Sequence, residues 1–191
     1  MPGQHSDTFE SFMSPRFSTY VLAYLIRQGV NPSPLFREAG IFYRANEELV
    51  APVPPTKLLL LLEATAQFMD DPFIGLSIGE HFSFEFSGLN ALLMISSSNM
   101  EQAMRARVKY DTYINNALYD RIQTTQQHLI HAFRVSTISN GNLRHLHDLL
   151  AAQMLTVLRT GSGSALSPTR ITFLHPAPRN TKRYFEHFGT E

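Results

Sequence analysis

The stretch from Leu58 to Ser98 constrains the fold more than any other part of the chain. It opens with the leucine run Leu58–Leu62, closed by Glu63. It continues with Asp71-Pro72-Phe-Ile-Gly75-Leu-Ser-Ile-Gly79-Glu80 and Gly88-Leu-Asn-Ala-Leu-Leu-Met-Ile-Ser-Ser97. Apolar runs of this length, interrupted by Pro and Gly, read as short buried helices with clear punctuation. Pro52-Val-Pro-Pro55 cannot lie inside a helix or sheet, so a turn there leads into a helix from about Thr56 to Met69. Its first turns are apolar nearly all round, which places it in the middle of the domain. Asp71 caps the next helix with Pro72 at its first position, and Gly88 to Ile95 forms a third.

The flanks complete an α+β pattern. Residues 1–14 read as a loosely ordered N-terminus, and 15–191 as one domain. Phe17, Tyr20, Val21, Tyr24 and Leu25 recur at helical spacing between Arg16 and Gln28, and Gly29 supplies the stop. Ser33-Pro34 opens a short helix that Gly40 ends. Ser98-Asn-Met-Glu101 has the spacing of a capping box and opens a helix to about Asn115. The period then changes. Leu118–Thr124 and His128–Ser136 are rich in β-formers around a polar break and predict an antiparallel hairpin. A long helix follows from the Asn140-Gly-Asn142 turn to about Thr160, with Leu143, Leu146, His147, Leu150 and Met154 on one stripe. Thr169–His175 reads as a third strand, and Pro178 starts a last helix that Gly189 stops. The expected architecture is an N-terminal helical cluster, then a small, mainly antiparallel sheet with a long packing helix.

Composition narrows the functional classes. Lys plus Arg and Asp plus Glu are 16 each, so no global field draws a polyanion to the chain. The nearest basic cluster, Arg105-Ala-Arg107-Val-Lys109, reads as a solvated helix face. Zero cysteines remove disulfides, Cys-ligated zinc and thiol chemistry, which suits the cytoplasm. No apolar stretch reaches the ~20 residues that span a bilayer, and the polar N-terminus has no secretory core.

Chemistry-bearing motifs are sparse. Gly75-Leu-Ser77-Ile-Gly79 matches the nucleophile-elbow string, but an elbow needs a strand just before its serine. Here Asp71-Pro72 has already begun a helix, so Ser77 lies inside it and the glycines permit close helix packing. No enzyme is expected, with a small hydrolase using Ser77 as the alternative. His145 and His147 are two apart on a helix and point away from each other, so no metal and no cofactor are expected. His131, His147 and His175 fall on apolar faces. Each is either a core histidine bonded to backbone or a group facing a cavity. Phe82, Phe84 and Phe86 either plug a core edge or line an apolar pocket. Tyr110, Tyr113 and Arg134 would add polar handles, Arg134 for a carboxylate, although its neighbours Ala132 and Ser136 place it toward solvent. The candidate ligand-binding set is therefore Phe82, Phe84, Phe86, Tyr110, Tyr113, His131, Arg134 and His147.

In order and spacing, the Asp71-Pro-x-x-Gly75-Leu-x-x-Gly79-Glu80 turn-and-helix and the Gly88-Leu-x-Ala-Leu-x-x-x-Ser-Ser97 helix resemble the effector-sensing, arabinose-binding-like half of AraC-type transcription regulators. Ser97-x-x-Met100-Glu-x-Ala103-x-Arg105, Tyr110, Ile171-x-Phe173-x-His175-x-x-Pro178 and Tyr184-x-x-x-Phe188-Gly189 extend the likeness over about Phe17 to Gly189. The resemblance implies a cytoplasmic sensing and dimerisation domain. It implies a small-molecule effector, a homodimer, and DNA contacted only through a C-terminal helix-turn-helix domain expected to be missing here. Nothing in the residues indicates a sugar. A ligand is expected between the hairpin and the long helix; the rival to sensing is a pure dimerisation module with no ligand.

Overall fold

The computed structural model describes residues 11–44, 47, 49–83, 88–136 and 143–190, with the backbone alone at Ala91. Apolar spacing sets the first element: α1 (Arg16–Arg27) buries Phe17, Tyr20, Val21, Tyr24 and Leu25 on one face. Gly29, with φ +72°, adopts the left-handed turn that stops it. The short α2 (Ser33–Glu38) follows, and then α3 (Pro55–Met69). Helix α3 buries Leu58, Leu59, Leu61 and Leu62 in the centre of the main core, while Leu60 alone of the run faces out.

Asp71 caps a turn rather than a helix: its Oδ1 accepts from Phe73 N at 2.8 Å, and α4 (Ile74–Glu80) begins later than expected. Helix α5 (Leu89–Ile95) precedes α6 (Met100–Ile114). The cap of α6 is Asn99, whose side chain accepts from Gln102 N at 2.9 Å, and not Ser98. Glu101 is not reaching back to a cap; it bonds Arg105 and Thr124 instead.

The hairpin forms as expected. Strands β1 (Leu118–Thr124) and β2 (Leu129–Val135) pair antiparallel, with Leu118 opposite Val135, Asp120 opposite Phe133 and Ile122 opposite His131. These pairs share the inner face, and Ile130, Ala132 and Arg134 face solvent. Among the described residues no third strand joins the sheet. Residues 169–175 are an extended strap, with Ile171, Phe173 and His175 turned inward and Leu174 fully out. Alternation arises there from side chains packing on helices rather than from a backbone ladder, so period two alone misassigned it.

Two long-range seams join the parts. Helix α7 (Arg144–Ser162) runs beside α4 at very short range. A Cβ on Gly75 would run into the His145 carbonyl, and one on Gly79 would lie 2.5 Å from Ala152 Cβ. The second seam is at residues 12–14. Phe12 and Ser14 donate backbone N–H groups to the Asn116 and Asn115 side chains, and Met13 bridges to Val53 and is wholly buried. The first ten residues lie outside the described ones. Helix α8 (Lys182–Phe188) closes a smaller cluster, Leu76, Ala151, Ala152, Leu155, Tyr184 and Phe188.

Candidate functional site

A chain of buried polar groups runs from α5 to the hairpin. Asn90 Nδ2 donates to Asp111 Oδ1 at 2.7 Å. Arg107, one turn before Asp111 on α6, pairs with it at 2.8 Å and stands 3.6 Å from Asp120 on β1. Asp120 Oδ1 lies 2.7 Å from His131 Nε2 on β2. Asp111 is only 3% exposed and the Asp120 side chain 2%, so both carboxylates are out of water. Burial raises the Asp111 carboxyl above its ordinary value, and Arg107 and the Asn90 bond partly offset this. Buried charge is tolerated only when paired. Here pairing is incomplete: the Arg107–Asp120 approach is too long for a hydrogen bond, and Asn90 Oδ1 accepts none among the described residues.

One end of this chain opens into a cleft. Asn90, Arg107 and Asp111 line it with Arg16, Phe17 and Tyr20 of α1 and Gln153 of α7. It is a small depression open to solvent, with room for about two ordered waters. Ser14 and Asn115, members of the N-terminal seam, form its floor with Ile114. Burial raises the Tyr20 hydroxyl strongly, so it stays a neutral phenol within the lining. A second, smaller depression lies between α1 and the end of α4, lined by Tyr20, Tyr24, Arg27, His81 and Phe82.

The hairpin meets α7 through rings instead of a cavity. Phe133 stands edge-on to His147, which stacks on His175 at 6.3 Å between centroids, and Phe173 lies beyond. His175 Nε2 is 3.2 Å from Asp148 Oδ1, and Tyr184 donates to Asp148 Oδ2 at 2.7 Å. Asp148 thereby ties the strap and α8 to α7. Burial opposes protonation of His175, but the Asp148 bond and the Pro176 carbonyl outweigh it and raise the imidazole. Burial, with His175 next to it, lowers His147. His147 Nε2 has no hydrogen-bond partner among the described residues, although the residue is 9% exposed.

The sequence-derived candidates do not converge. His131 faces inward as its alternation required, but its partner is the Asp120 carboxylate rather than backbone. His147 is buried on the stripe with Leu146, Leu150 and Met154. Phe82 is buried edge-on to Tyr20 at 4.5 Å and borders the smaller cleft. Phe84 and Phe86 lie outside the described residues. Tyr110 is half-buried, and Tyr113 is 74% exposed on the outer side of α6. Arg134 stands on the solvent face of β2, with its guanidinium 5.0 Å from the Tyr119 ring centroid. Because register fixes the face of every second residue, Arg134 cannot turn inward beside His131.

Residues that sequence reasoning missed are Asn90, Arg107, Asp111 and Asp120. The basic run at 105–109 was read as a solvated face, yet Arg107 is buried while Arg105 and Lys109 are exposed. The i, i+4 spacing of Arg107 and Asp111 was a legible signal. Ser77 donates its hydroxyl to Asp71 Oδ2 at 2.7 Å from within α4, and the nearby His81 ring bonds the Ser77 carbonyl. That is a helix-to-turn tie, without the strand an elbow requires. His145 lies 3.9 Å from Glu63 of α3 on another side of α7 from His147. No described helix is long and apolar enough to cross a membrane.

A helical framework thus carries one antiparallel hairpin and a polar cleft. Residues 29–191 match the family model for the arabinose-binding domain of AraC transcription regulators, N-terminal part, and the chain belongs to that family. It is an effector-binding domain of such a regulator, in a family that senses and does not catalyse. No curated protein matches the chain individually.

Proposed function

We propose that this domain controls the DNA-binding activity of a cytoplasmic, dimeric transcription regulator in response to a small molecule held in the cleft between α1, α5, α6 and α7. The observation that carries the reading is the continuity of cleft and hairpin: Asn90 and Asp111 line the cleft, and Arg107, Asp120 and His131 continue the same polar chain into β1 and β2. A ligand that alters the inner end of the cleft therefore acts on the hairpin without touching it. It can shift the equilibrium between two states only by its difference in affinity for them, about tenfold for each 1.4 kcal/mol. DNA contact belongs to a separate part of the regulator, because the chain's formal charge is zero.

The space between hairpin and α7, expected from sequence to receive the ligand, is occupied by Phe133, His147 and His175. The cleft is the better-supported location. The test is a metabolite panel measured by thermal shift on this chain, then by gel shift on the whole regulator. Expected is a compound that raises the melting temperature here and changes operator affinity there. A chain that shifts with no compound, in a regulator indifferent to all of them, favours the pure dimerisation module. Sequence-specific DNA binding by the 191-residue chain alone would contradict the division of labour.

A further inference from the structure

The hairpin has one edge and one face that the rest of the described domain leaves unused. Ser136 N donates to the Ala117 carbonyl at 2.7 Å, and Thr125 N to the His128 carbonyl at 2.9 Å. The register between these bonds is unbroken, so Ile130, Ala132 and Arg134 exchange backbone bonds with β1. The N–H and C=O groups of Leu129, His131, Phe133 and Val135 therefore point away from β1, along the free edge of β2. Among the described residues no third strand takes them up. Such an edge is a template for one more strand.

The outer face beside this edge is cationic. It carries Tyr119, Arg121 and Gln123 of β1 and Ile130, Ala132 and Arg134 of β2, all exposed. The hairpin's one acid, Asp120, is turned inward. The ion pairs among the described residues include neither Arg121 nor Arg134. Arg134 lies over the Tyr119 ring at 5.0 Å, which steadies the guanidinium and leaves its N–H rim for a carboxylate. Arg121 stands directly across from Ala132, the smallest side chain of the face. It can reach over that methyl toward a strand added beside β2, ~10 Å away at two strand spacings. A second copy of β2 continuing the sheet would gather four guanidiniums on one face without a carboxylate. Nucleic acid would answer the charge but leave the row of backbone groups unused.

We propose that the free edge of β2 docks an extended acidic peptide segment of a partner protein as a third strand. The segment's backbone pairs with Leu129, His131, Phe133 and Val135. A Glu or Asp beside Ala132 takes up Arg134 on the diagonal and Arg121 across the methyl group. An aliphatic residue two positions along covers Ile130, which is 44% exposed. The recognised pattern is aliphatic-x-acidic in an extended chain. Asp120 and His131 lie on the reverse of this face, so cleft and partner address the hairpin from opposite sides.

The probes are seven-residue peptides, the length of β2, acetylated and amidated to remove terminal charge. The acidic one is Thr-Val-Thr-Glu-Thr-Val-Thr; its controls carry Gln or Lys at the centre, or an N-methyl group at every residue. Each is titrated into the 191-residue chain and followed in ¹H–¹⁵N spectra and by amide exchange. The acidic peptide should bind, with the Gln and Lys peptides weaker by at least about tenfold and the methylated one silent. On binding, the amides of Leu129, His131, Phe133 and Val135 should gain protection, while those of Ile130, Ala132 and Arg134, already paired, should change little. The double variant Arg121→Gln, Arg134→Gln removes two exposed charges; it should melt like the parent and bind the acidic peptide at least about tenfold more weakly. Equal binding of the Gln or Lys peptide, or parent-like binding by the double variant, would overturn the acidic partner. Binding without protection at the four edge amides would overturn strand addition. No binding of the acidic peptide would overturn both. So would edge amides that become protected with rising protein concentration alone, which assigns the edge to a second copy. A response of this face to duplex DNA and not to peptide would assign it to nucleic acid instead.

Discussion

Leu150 shows how far a single residue can be read from its spacing. Its place on the stripe with Leu146 and Met154 predicts burial, and it is 5% exposed in the main core. Leu150→Ala should cost ~2–5 kcal/mol, because a close-packed site closes only partly over the lost methyl groups. A denaturant midpoint unchanged from the parent would mean that the stripe faces water. Polar residues were less legible, because their state depends on partners far away in sequence. His187 shows this: burial, with Arg159 and Arg183 close by, pushes its imidazole down to about 4 from 6.5. The unfolded chain then binds more protons than the folded one between those values, so stability should fall as pH drops from about 6.5 toward about 4. His145 and His147, also lowered, act in the same sense. His175 is raised and acts oppositely; its contribution is complete at low pH and is lost as pH rises through its folded value. Melting temperatures across this range should show the acid-side decline, and His187→Gln should flatten part of it.

Elements with strong local signals came through the sequence well: α1, α3, the hairpin and α7 lie within a few residues of their expected bounds. The errors share a cause, a pattern with two physical origins. Ser98 and Asn99 are both good caps, and only backbone geometry chose Asn99. Asn99→Ala should therefore cost ~0.5–2 kcal/mol, while Ser98→Ala should be close to neutral. Equal losses would restore the capping box. The alternation at 169–175 likewise reads as a strand, but there it marks a strap against α7 and α8. The cleft was not legible at all. Its residues come from α1, α5, α6 and α7, and only tertiary contact brings Asn90 to Asp111 or Arg107 to Asp120.

Assembly is the question for the whole molecule. Helix α1 offers no aromatic face to a second copy, because its stripe points inward and both Tyr20 and Tyr24 are buried. Beside α6, the outward side of α5 shows Leu89, Leu92 and Ile95 at helical spacing, continued by Met100. An apolar strip of this kind on a soluble domain fits the core of a symmetric contact, in which each copy offers the same patch. Sedimentation should show a dimer at micromolar concentration. Leu92→Glu, felt twice in such a contact, should give a monomer with an unchanged melting curve at low concentration. A parent monomer at all concentrations would place dimerisation elsewhere in the regulator.

The two glycines of α4 have a further effect. With Gly75 against the His145 carbonyl and Gly79 against Ala152, nothing remains between α4 and α7 to slide or tilt. The pair behaves as a fixed stator, and Thr156 pins it once more by bonding the Gly79 carbonyl at 3.1 Å. Motion has to be carried by what leans on the stator from one side: α5, α6 and the hairpin, joined by polar contacts that can exchange partners. Amide exchange should divide the domain along that line, slow through α4 and α7 and ligand-sensitive through α6 and β1. A methyl group at position 75 should damage the fold itself rather than tune the response.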